Sequence, residues 1–401
     1  MKCGLLGRKL GHSYSPAIHK HLGGYSYTLF EKEPEELEDF LRHGNWDGLN
    51  VTIPYKQSVI PYLDALTPVA KQVGAVNTIV HQNRKLIGHN TDHFGFQTML
   101  DQSNLHITGK KCLVLGSGGA SKVVQSVLQQ QGAQVIVISR TGENNYGNLE
   151  LHTDAAILVN TTPVGMYPDT GISPLSLEHF PQLEGVLDLI YNPARTKLLL
   201  DAEQRGLVTM NGLTMLVAQA TEAAQWFTKN IFSDESIQRI CHRMQQQTEN
   251  IVLIGMPGCG KSTIGQLIAE RTGRTFVDTD AEIVKLASKT IPKILAEDGE
   301  EIFRTWESKV IAEWGKQSGL VIATGGGCVS KDVNYRLLRQ NSRIFWIKRD
   351  IHLLSIEGRP LSVNLQDLYE KRKHLYHRFA DHIVENHATP EAIAEQICNW
   401  R

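Results

Sequence analysis

The octapeptide Gly255-Met256-Pro257-Gly258-Cys259-Gly260-Lys261-Ser262 constrains this chain more than any other stretch, because it follows the G-x-x-x-x-G-K-[ST] pattern of a phosphate-binding loop. The apolar run Ile251–Ile254 before it predicts a buried parallel strand, and Ile264, Leu267 and Ile268 after it recur at helical spacing. A strand feeding a glycine loop that opens a helix gives the pattern its mechanism. Glycines let backbone N–H groups approach phosphates, and the helix N-terminus adds positive potential. On this reading Gly258, Cys259, Gly260 and Thr263 border the phosphates, Lys261 reaches the outer ones, and Ser262 holds Mg²⁺. Such a loop follows the first strand of its domain, so a new domain is expected to begin near residue 249.

The remaining length needs its own explanation. A chain of 401 residues suggests two or three domains, and a 41% hydrophobic share allows each a sizeable core. A net charge of −1 supplies no basic field for nucleic acid or an anionic membrane, so neither is expected as a partner. The six cysteines are scattered without C-x-x-C pairs, which points to free thiols in a reducing compartment rather than disulfides or zinc. No leader-like or membrane-length apolar run is present, and a cytoplasmic location is expected.

In the first ninety residues, short apolar strands repeatedly end in polar tips. Leu5-Leu6 runs into a loop carrying Ser13 and Ser15, two hydroxyls that suit a polyol or carboxylate, or that simply cap the next helix. Leu49–Ile53 leads to Lys56 at a strand's C-terminal end, where open α/β sheets place ligands. Asn77 and the group Asn90-Thr91-Asp92 sit at similar tips, although Asp92 also precedes a helical pattern and can be read as a cap. Lys56 and Asp92, brought together, form a couple able to hydrogen-bond a substrate hydroxyl and pass a proton.

Taken in order, Ser13-Tyr14-Ser15-Pro16, Asn50-Val51-Thr52-Ile53-Pro54-Tyr55-Lys56, Gly74-Ala75-Val76-Asn77-Thr78 and Asn90-Thr91-Asp92-x-x-Gly95 resemble the motif set of shikimate dehydrogenases. The resemblance implies catalysis by Lys56 and Asp92. It implies that Ser13, Ser15, Thr52, Asn77 and Asp92 meet the hydroxyls and carboxylate of shikimate.

Residues 112–115 form an apolar strand before Gly116-Ser117-Gly118-Gly119-Ala120-Ser121, a variant dinucleotide fingerprint with Ser121 where a third Gly or Ala is usual. The next apolar run, Gln134–Ile138, ends in Ser139-Arg140-Thr141. An NAD site would place an acid about 20 residues past the fingerprint; hydroxyls and a guanidinium suit a 2′-phosphate instead, so NADPH is expected. The dehydrogenase resemblance agrees, and it further implies that Thr162 and Gly212 border the cofactor while Tyr191 and Gln219 reach substrate. Leu213, Leu216, Val217, Ala220, Ala224 and Phe227 read as the core stripe of a helix, with Gln219 off it. Ser233 starts a short amphipathic helix whose trailing Gln245-Gln246-Gln247 is read as a polar joint.

After the phosphate loop, Phe276–Asp280 reads as a strand ending in two carboxylates, Asp278 and Asp280, that alternation would point the same way. Arg304 sits on a helix where pairing with Glu300 or Glu307 at the surface is the default reading. Gly325-Gly326-Gly327 permits close approach to a ligand, or is a plain turn, and Arg359 lies in a loop before a last helical region. This order resembles shikimate kinase. That resemblance implies ATP–Mg²⁺ at Lys261 and Ser262, Asp278 in the metal shell, and shikimate at Asp280, Arg304, Gly326, Gly327 and Arg359, with Asp280 the candidate base. Between Asp350 and Arg359 the chain is shorter than the arginine-bearing lid of many relatives; Arg372, Lys348 or Arg349 are candidates to compensate.

The expected fold class is α/β throughout. An N-terminal α/β substrate domain (1–95) precedes a Rossmann NADP domain (96–210), helices and linker (211–248), and a P-loop domain like the nucleoside-monophosphate kinases (249–401). The expected activity is NADPH-dependent reduction of 3-dehydroshikimate followed by ATP-dependent phosphorylation of shikimate, with small molecules as the partners. The alternatives are a dehydrogenase that prefers quinate, fused to a weak kinase, and a metabolite-binding regulator. Transfer of shikimate between sites without release is not expected, and the sequence carries no signal for oligomeric state.

Overall fold

Strands occur where short apolar runs are bounded by glycine or polar residues, and helices fill the intervals. The computed structural model describes residues 1–11, 13–354 and 365–400. Two compact units emerge: Met1–Val164 with Ser173–Tyr191 and Asp201–Met244, and Gly165–Ile172 with Asn192–Leu200 and Gln245–Arg401.

The first unit holds two sheets. β1 (Lys2–Gly7), β2 (Ser26–Glu31), β3 (Gly48–Val51), β4 (Ala65–Leu66), β5 (Thr78–Gln82) and β6 (Lys85–His89) assemble in the order β2-β1-β3-β5-β6-β4. β1 pairs in parallel with β2 and β3, whereas β5 runs antiparallel to both β3 and β6. Leu6, Leu49, Val51, Val76 and Ile79 bury one face against Leu37, Leu41 and Trp46. Each such side chain contributes about 1.5–3 kcal/mol relative to exposure. The antiparallel pairing has a local consequence, since it sets Asn50 of β3 directly opposite Thr78 of β5.

The second sheet is wholly parallel: β7 (Lys111–Leu115), β8 (Gln134–Ile138), β9 (Ile157–Asn160), β10 (Gly185–Asp188) and β11 (Val208–Asn211), in the order β11-β10-β9-β7-β8. β7 lies between β8 and β9, so the strand order reverses at its C-terminal end, where such sheets open a ligand crevice. Helix Leu213–Thr228 buries Leu213, Val217, Ala220, Ala224 and Phe227, as its spacing predicted. It shares a core with Ile18 and with Ile237, Ile240 and Met244 of the next helix. That next helix spans Asp234–Thr248, longer than expected. Gln245–Gln247 are helical rather than a polar tail, because glutamine loses little rotamer freedom in a helix.

The second unit contains a third sheet, again wholly parallel: β12 (Asn250–Ile254), β13 (Thr275–Asp278), β14 (Leu320–Ala323), β15 (Ser342–Lys348) and β16 (His382–Glu385), ordered β13-β14-β12-β15-β16. β12 lies at the reversal, so the phosphate-loop sequence that follows it opens at the crevice. Val252, Leu253, Ile322, Ile344 and Trp346 form the buried centre. Among the described residues no helix is long and apolar enough to cross a membrane.

Candidate active sites

The tips of β1, β3 and β5 surround a cavity of about 120 Å³ in the first unit. Ser13, Ser15, Thr52, Lys56, Asn77, Tyr191 and Gln219 all line it, although they are scattered along the sequence. Asp92 joins them through Lys56, whose Nζ donates to Asp92 Oδ2 at 2.6 Å. Asp92 is buried at the first turn of helix Asp92–Ser103 but does not serve as the cap; Thr91 holds the N-cap position. Asn90 fixes this turn, donating to the Ala75 carbonyl at 3.0 Å and accepting the Asp92 N–H at 3.1 Å. The capping alternative for the serines survives only in part. Ser13 Oγ accepts the Ser15 N–H at 3.2 Å, while helix Ser15–Leu22 has Tyr14 at its N-cap, whose side chain does not cap the helix. Burial raises the pKa of the Tyr191 phenol, which keeps it a hydrogen-bond donor at neutral pH. His19 and Asn50 also reach the wall of the cavity, and the residue-by-residue reading gave neither a role. Asn50 stood in a quoted motif, but its strand-mates become visible only once β3 and β5 pair.

At the crevice of the second sheet, the fingerprint loop turns out of β7. Ser117, Gly118, Gly119 and Ala120 are exposed, and helix Gly119–Gln130 starts from Gly118 without a side-chain cap bond. An exposed helix start of this kind suits a pyrophosphate. Ser121 is fully buried and its Oγ accepts from Gln125 Nε2 at 2.9 Å, so its hydroxyl serves the helix. Ser139, Arg140 and Thr141 follow β8, with Arg140 and Thr141 exposed at the tip. Thr162 stands beside Gly116, where an added Cβ would come within 3.1 Å of its methyl group. Gly212 is the N-cap of helix Leu213–Thr228 and donates its N–H to the Ile190 carbonyl at 3.0 Å.

The second unit's crevice holds a cavity of about 430 Å³, lined by the phosphate loop, Asp278, Asp280, Arg304 and Gly325–Gly327. Lys261 begins helix Lys261–Thr272, and its Nζ donates to the Gly255 and Met256 carbonyls, each at 3.0 Å. Cys259 is buried, with Sγ 3.7 Å from that Nζ, while Gly258, Gly260 and Thr263 border the cavity. Ser262 Oγ donates to Asp278 Oδ2 at 2.7 Å. The two carboxylates meet the cavity for a reason other than strand alternation. β13 ends at Asp278, which becomes an N-cap whose Oδ1 accepts the N–H groups of Asp280 and Ala281 at 3.0 and 3.3 Å.

Arg304 is buried rather than at the surface, and it makes both expected pairings at once. Its Nη1 donates to Glu307 Oε2 at 2.9 Å and its Nη2 to Glu300 Oε1 at 3.0 Å. Helix Glu300–Gly315 turns this face inward against the glycine run. A Cβ on Gly327 would collide with the Arg304 guanidinium, and one on Gly326 would lie 2.6 Å from Pro257, so close approach and not a flexible turn explains the glycines. Glu307 is wholly buried, and desolvation pushes its carboxyl up to about 7 against the pull of Arg304. Arg372 and Arg349 line the cavity, and Arg372 Nη1 donates to the Gly326 carbonyl at 3.3 Å. Lys348 instead pairs with Glu385 at 2.7 Å, outside the cavity lining. Arg359 and residues 355–358 of the segment expected to be a short lid lie outside the described residues.

Comparison with known proteins places both halves. Residues 257–400 match the family model for shikimate kinase, and residues 5–79 that for the shikimate dehydrogenase substrate binding domain. The NADP(+)-dependent shikimate dehydrogenase of Clostridium perfringens (strain 13) is 37% identical over 244 residues, spanning 55% of this chain and 90% of that protein. That of Halothermothrix orenii is 39% identical over 261 residues, spanning 56% and 90%. Among solved structures, a chorismate mutase/shikimate 5-dehydrogenase fusion protein from Clostridium acetobutylicum aligns with a TM-score of 0.59 at 34% identity, covering 61% of this chain and 97% of that one. The shikimate 5-dehydrogenase of Thermus thermophilus, solved in complex with NADP(H) and shikimate, aligns with a TM-score of 0.55 at 32% identity, covering 61% and 99%. The chain belongs to the shikimate dehydrogenase family and carries, in the same polypeptide, a shikimate kinase domain.

Proposed function

We propose that this polypeptide catalyses two consecutive reactions, reduction of 3-dehydroshikimate to shikimate with NADPH and phosphorylation of the shikimate 3-hydroxyl with ATP. The observation that carries this reading is the convergence, in each unit, of motif residues distant in sequence on one cavity. Segments 1–95 and 96–210 are read as the substrate and NADP domains, 211–248 as helices completing the substrate side, and 249–401 as the kinase. Free cysteines throughout the described residues support a cytoplasmic setting.

In the reductase, Lys56 donates a proton to the oxygen that was the ketone. Asp92, 2.6 Å away, holds the ammonium in place. Ser13, Ser15, Thr52, Asn77, Tyr191 and Gln219 orient the substrate's hydroxyls and carboxylate. The residues present fit NADPH: an open helix start for the pyrophosphate, and Arg140 with two hydroxyl residues for a 2′-phosphate. When bound, that cofactor supplies the hydride.

In the kinase, Asp280 accepts the proton of the substrate hydroxyl. Arg304 and Arg372 are placed to clamp the carboxylate as planar forks, with Glu300 and Glu307 holding Arg304 in position. Gly326 and Gly327 let substrate approach the backbone. Among the described residues no three His, Cys, Asp or Glu side chains gather as a metal-holding group. Mg²⁺ would be held by Ser262, Asp278 and the nucleotide's own phosphates, an all-oxygen set suited to a hard cation. ATP and the ion supply the phosphoryl group and charge neutralisation.

Each half is tested with its own substrate: NADP⁺ reduction with shikimate, and ADP release with shikimate and ATP–Mg²⁺. Both signals are expected from the purified chain. Saturable NADP⁺-linked turnover of quinate in preference to shikimate would overturn the substrate assignment. Shikimate binding without turnover in either assay would favour the regulator.

A further inference from the structure

Beside the dehydrogenase cavity lies a chain of partly buried hydrogen bonds that the catalytic reading does not use. Tyr27 Oη donates to Asn50 Oδ1 at 2.8 Å, and Asn50 Nδ2 donates to Thr78 Oγ1 at 3.2 Å. Thr78 Oγ1 donates in turn to Asn77 Oδ1 at 3.2 Å, and Asn77 Nδ2 donates to Gln219 Oε1 at 3.3 Å. Tyr27 and Thr78 do not line the cavity, whereas Asn77 and Gln219 do. Asn50 also lines it, and every proton in the series points the same way, from Tyr27 toward Gln219.

The direction is fixed by a donor that has no alternative. The Thr91 backbone N–H lies 2.8 Å from Asn77 Oδ1, and the Thr91 hydroxyl adds a second donor at 3.2 Å. A reversed Asn77 amide would set its NH₂ against that N–H, donor facing donor, in a place closed to water. Thr78 Oγ1, already accepting from Asn50, has its own proton left for Asn77 Oδ1. At the head, the Tyr27 ring stacks on His19 with centroids 3.8 Å apart and planes 10° apart. His19 Nδ1 lies 2.6 Å from Tyr25 Oη. Burial pushes the His19 imidazole down to about 3, so no charge disturbs the series at neutral pH.

We propose that Tyr27, Asn50, Thr78 and Thr91 are positioning residues that lock the Asn77 amide with its NH₂ toward the cavity, so that this corner of the substrate site offers hydrogen-bond donors to acceptor oxygens of the substrate. Accepting from Asn77 leaves Gln219 with its own NH₂ as the remaining polar group, which extends the donor character of the corner. The inference rests on the dehydrogenase reading above and deepens it.

Thr78→Val keeps the side-chain shape and cuts the series in the middle; Thr78→Ser restores the hydroxyl. In the full-length chain, Thr78→Val is expected to raise the KM for 3-dehydroshikimate about 3- to 10-fold, the worth of one neutral hydrogen bond. The KM for NADPH should stay put and thermal melting should stay close to wild type, with Thr78→Ser returning the substrate KM to within twofold. Tyr27→Phe, outside the cavity lining, should move the same KM in the same direction. Thr78→Val with an unchanged substrate KM would overturn the proposal. Equal impairment of the Val and Ser variants, or a parallel loss of NADPH affinity, would overturn it in favour of a packing role. Failure of the dehydrogenase reading itself is separately visible, since wild type would then not oxidise NADPH.

Discussion

Lys56 Nζ and Asp92 Oδ2 meet at 2.6 Å although the residues are 36 positions apart, one beyond the end of β3 and the other at the start of a helix following β6. The lysine is about a third exposed and the carboxylate nearly buried (31% and 8%), so the pair faces the cavity through its cation. Lys56→Ala is expected to lower kcat for 3-dehydroshikimate about 10²- to 10⁴-fold, the usual worth of a positioned proton donor. ADP formation from added shikimate should persist, and stopped-assay rates for the two reactions check this. A Lys56→Ala reductase with near-normal kcat would remove the residue from the chemistry.

Arg140 stands exposed at the tip after β8. Arg140→Ala should raise the KM for NADPH about 10- to 100-fold through loss of charge-assisted bonds, while leaving that for NADH nearly unchanged. Initial rates with both cofactors give the ratio. An equal rise for both would mean that Arg140 supports the loop rather than the 2′-phosphate.

Much of this was legible in the sequence because it was local. The strand–loop–helix context of Gly255–Ser262 places Lys261 and Ser262 by itself, and the lone Lys56 gained meaning from motifs that ended in Asp92. What stayed hidden depended on long-range packing. Arg304 looked like a surface arginine because helical spacing pairs it with Glu300 and Glu307 anywhere; only the glycine run packed over it makes it buried. Asp278 and Asp280 reach the same cavity by a cap, not by strand alternation, since β13 stops at Asp278. The Asn50–Thr78 contact likewise required tertiary structure, because nothing near either residue in sequence marks the partner, and Arg372, a candidate from the sequence, gained its Gly326 partner only there.

Asp278 caps a helix and, on the proposed reading, also holds Mg²⁺, and different substitutions separate the two roles. Asp278→Asn keeps an oxygen for the N–H groups of Asp280 and Ala281, so stability should change little, while the Mg²⁺ concentration for half-maximal kinase rate rises and kcat falls. Asp278→Ala should lose activity and, in addition, about 0.5–2 kcal/mol of stability from the missing cap. Mg²⁺ titrations and urea melts of both variants check the split. Unchanged Mg²⁺ dependence in Asp278→Asn would leave the residue with its capping role alone.

Glu307 gives the kinase unit a pH dependence of stated sign. Its carboxyl is raised by burial to about 7, so between the ordinary carboxylate range and that value the folded state keeps a proton that the unfolded chain has released. The contribution is fully present below the ordinary range and is lost as pH rises through about 7. Glu307→Gln cannot ionise, so its stability relative to wild type should climb from pH 5 to pH 8. Urea titrations read by hydrogen exchange of the β12 and β14 peptides follow this unit alone. Parallel pH curves for the two proteins would show that Glu307 stays ionised throughout.

The most direct measurement is a single reaction of the full-length chain with 3-dehydroshikimate, NADPH and ATP–Mg²⁺, followed by mass spectrometry of products alongside NADPH and ADP. Two consecutive active sites predict shikimate 3-phosphate, one NADPH and one ATP consumed for each, and no ADP when NADPH is withheld. NADPH consumption that ends at shikimate, with no phosphorylated product even when shikimate is added, would contradict the account of the second site.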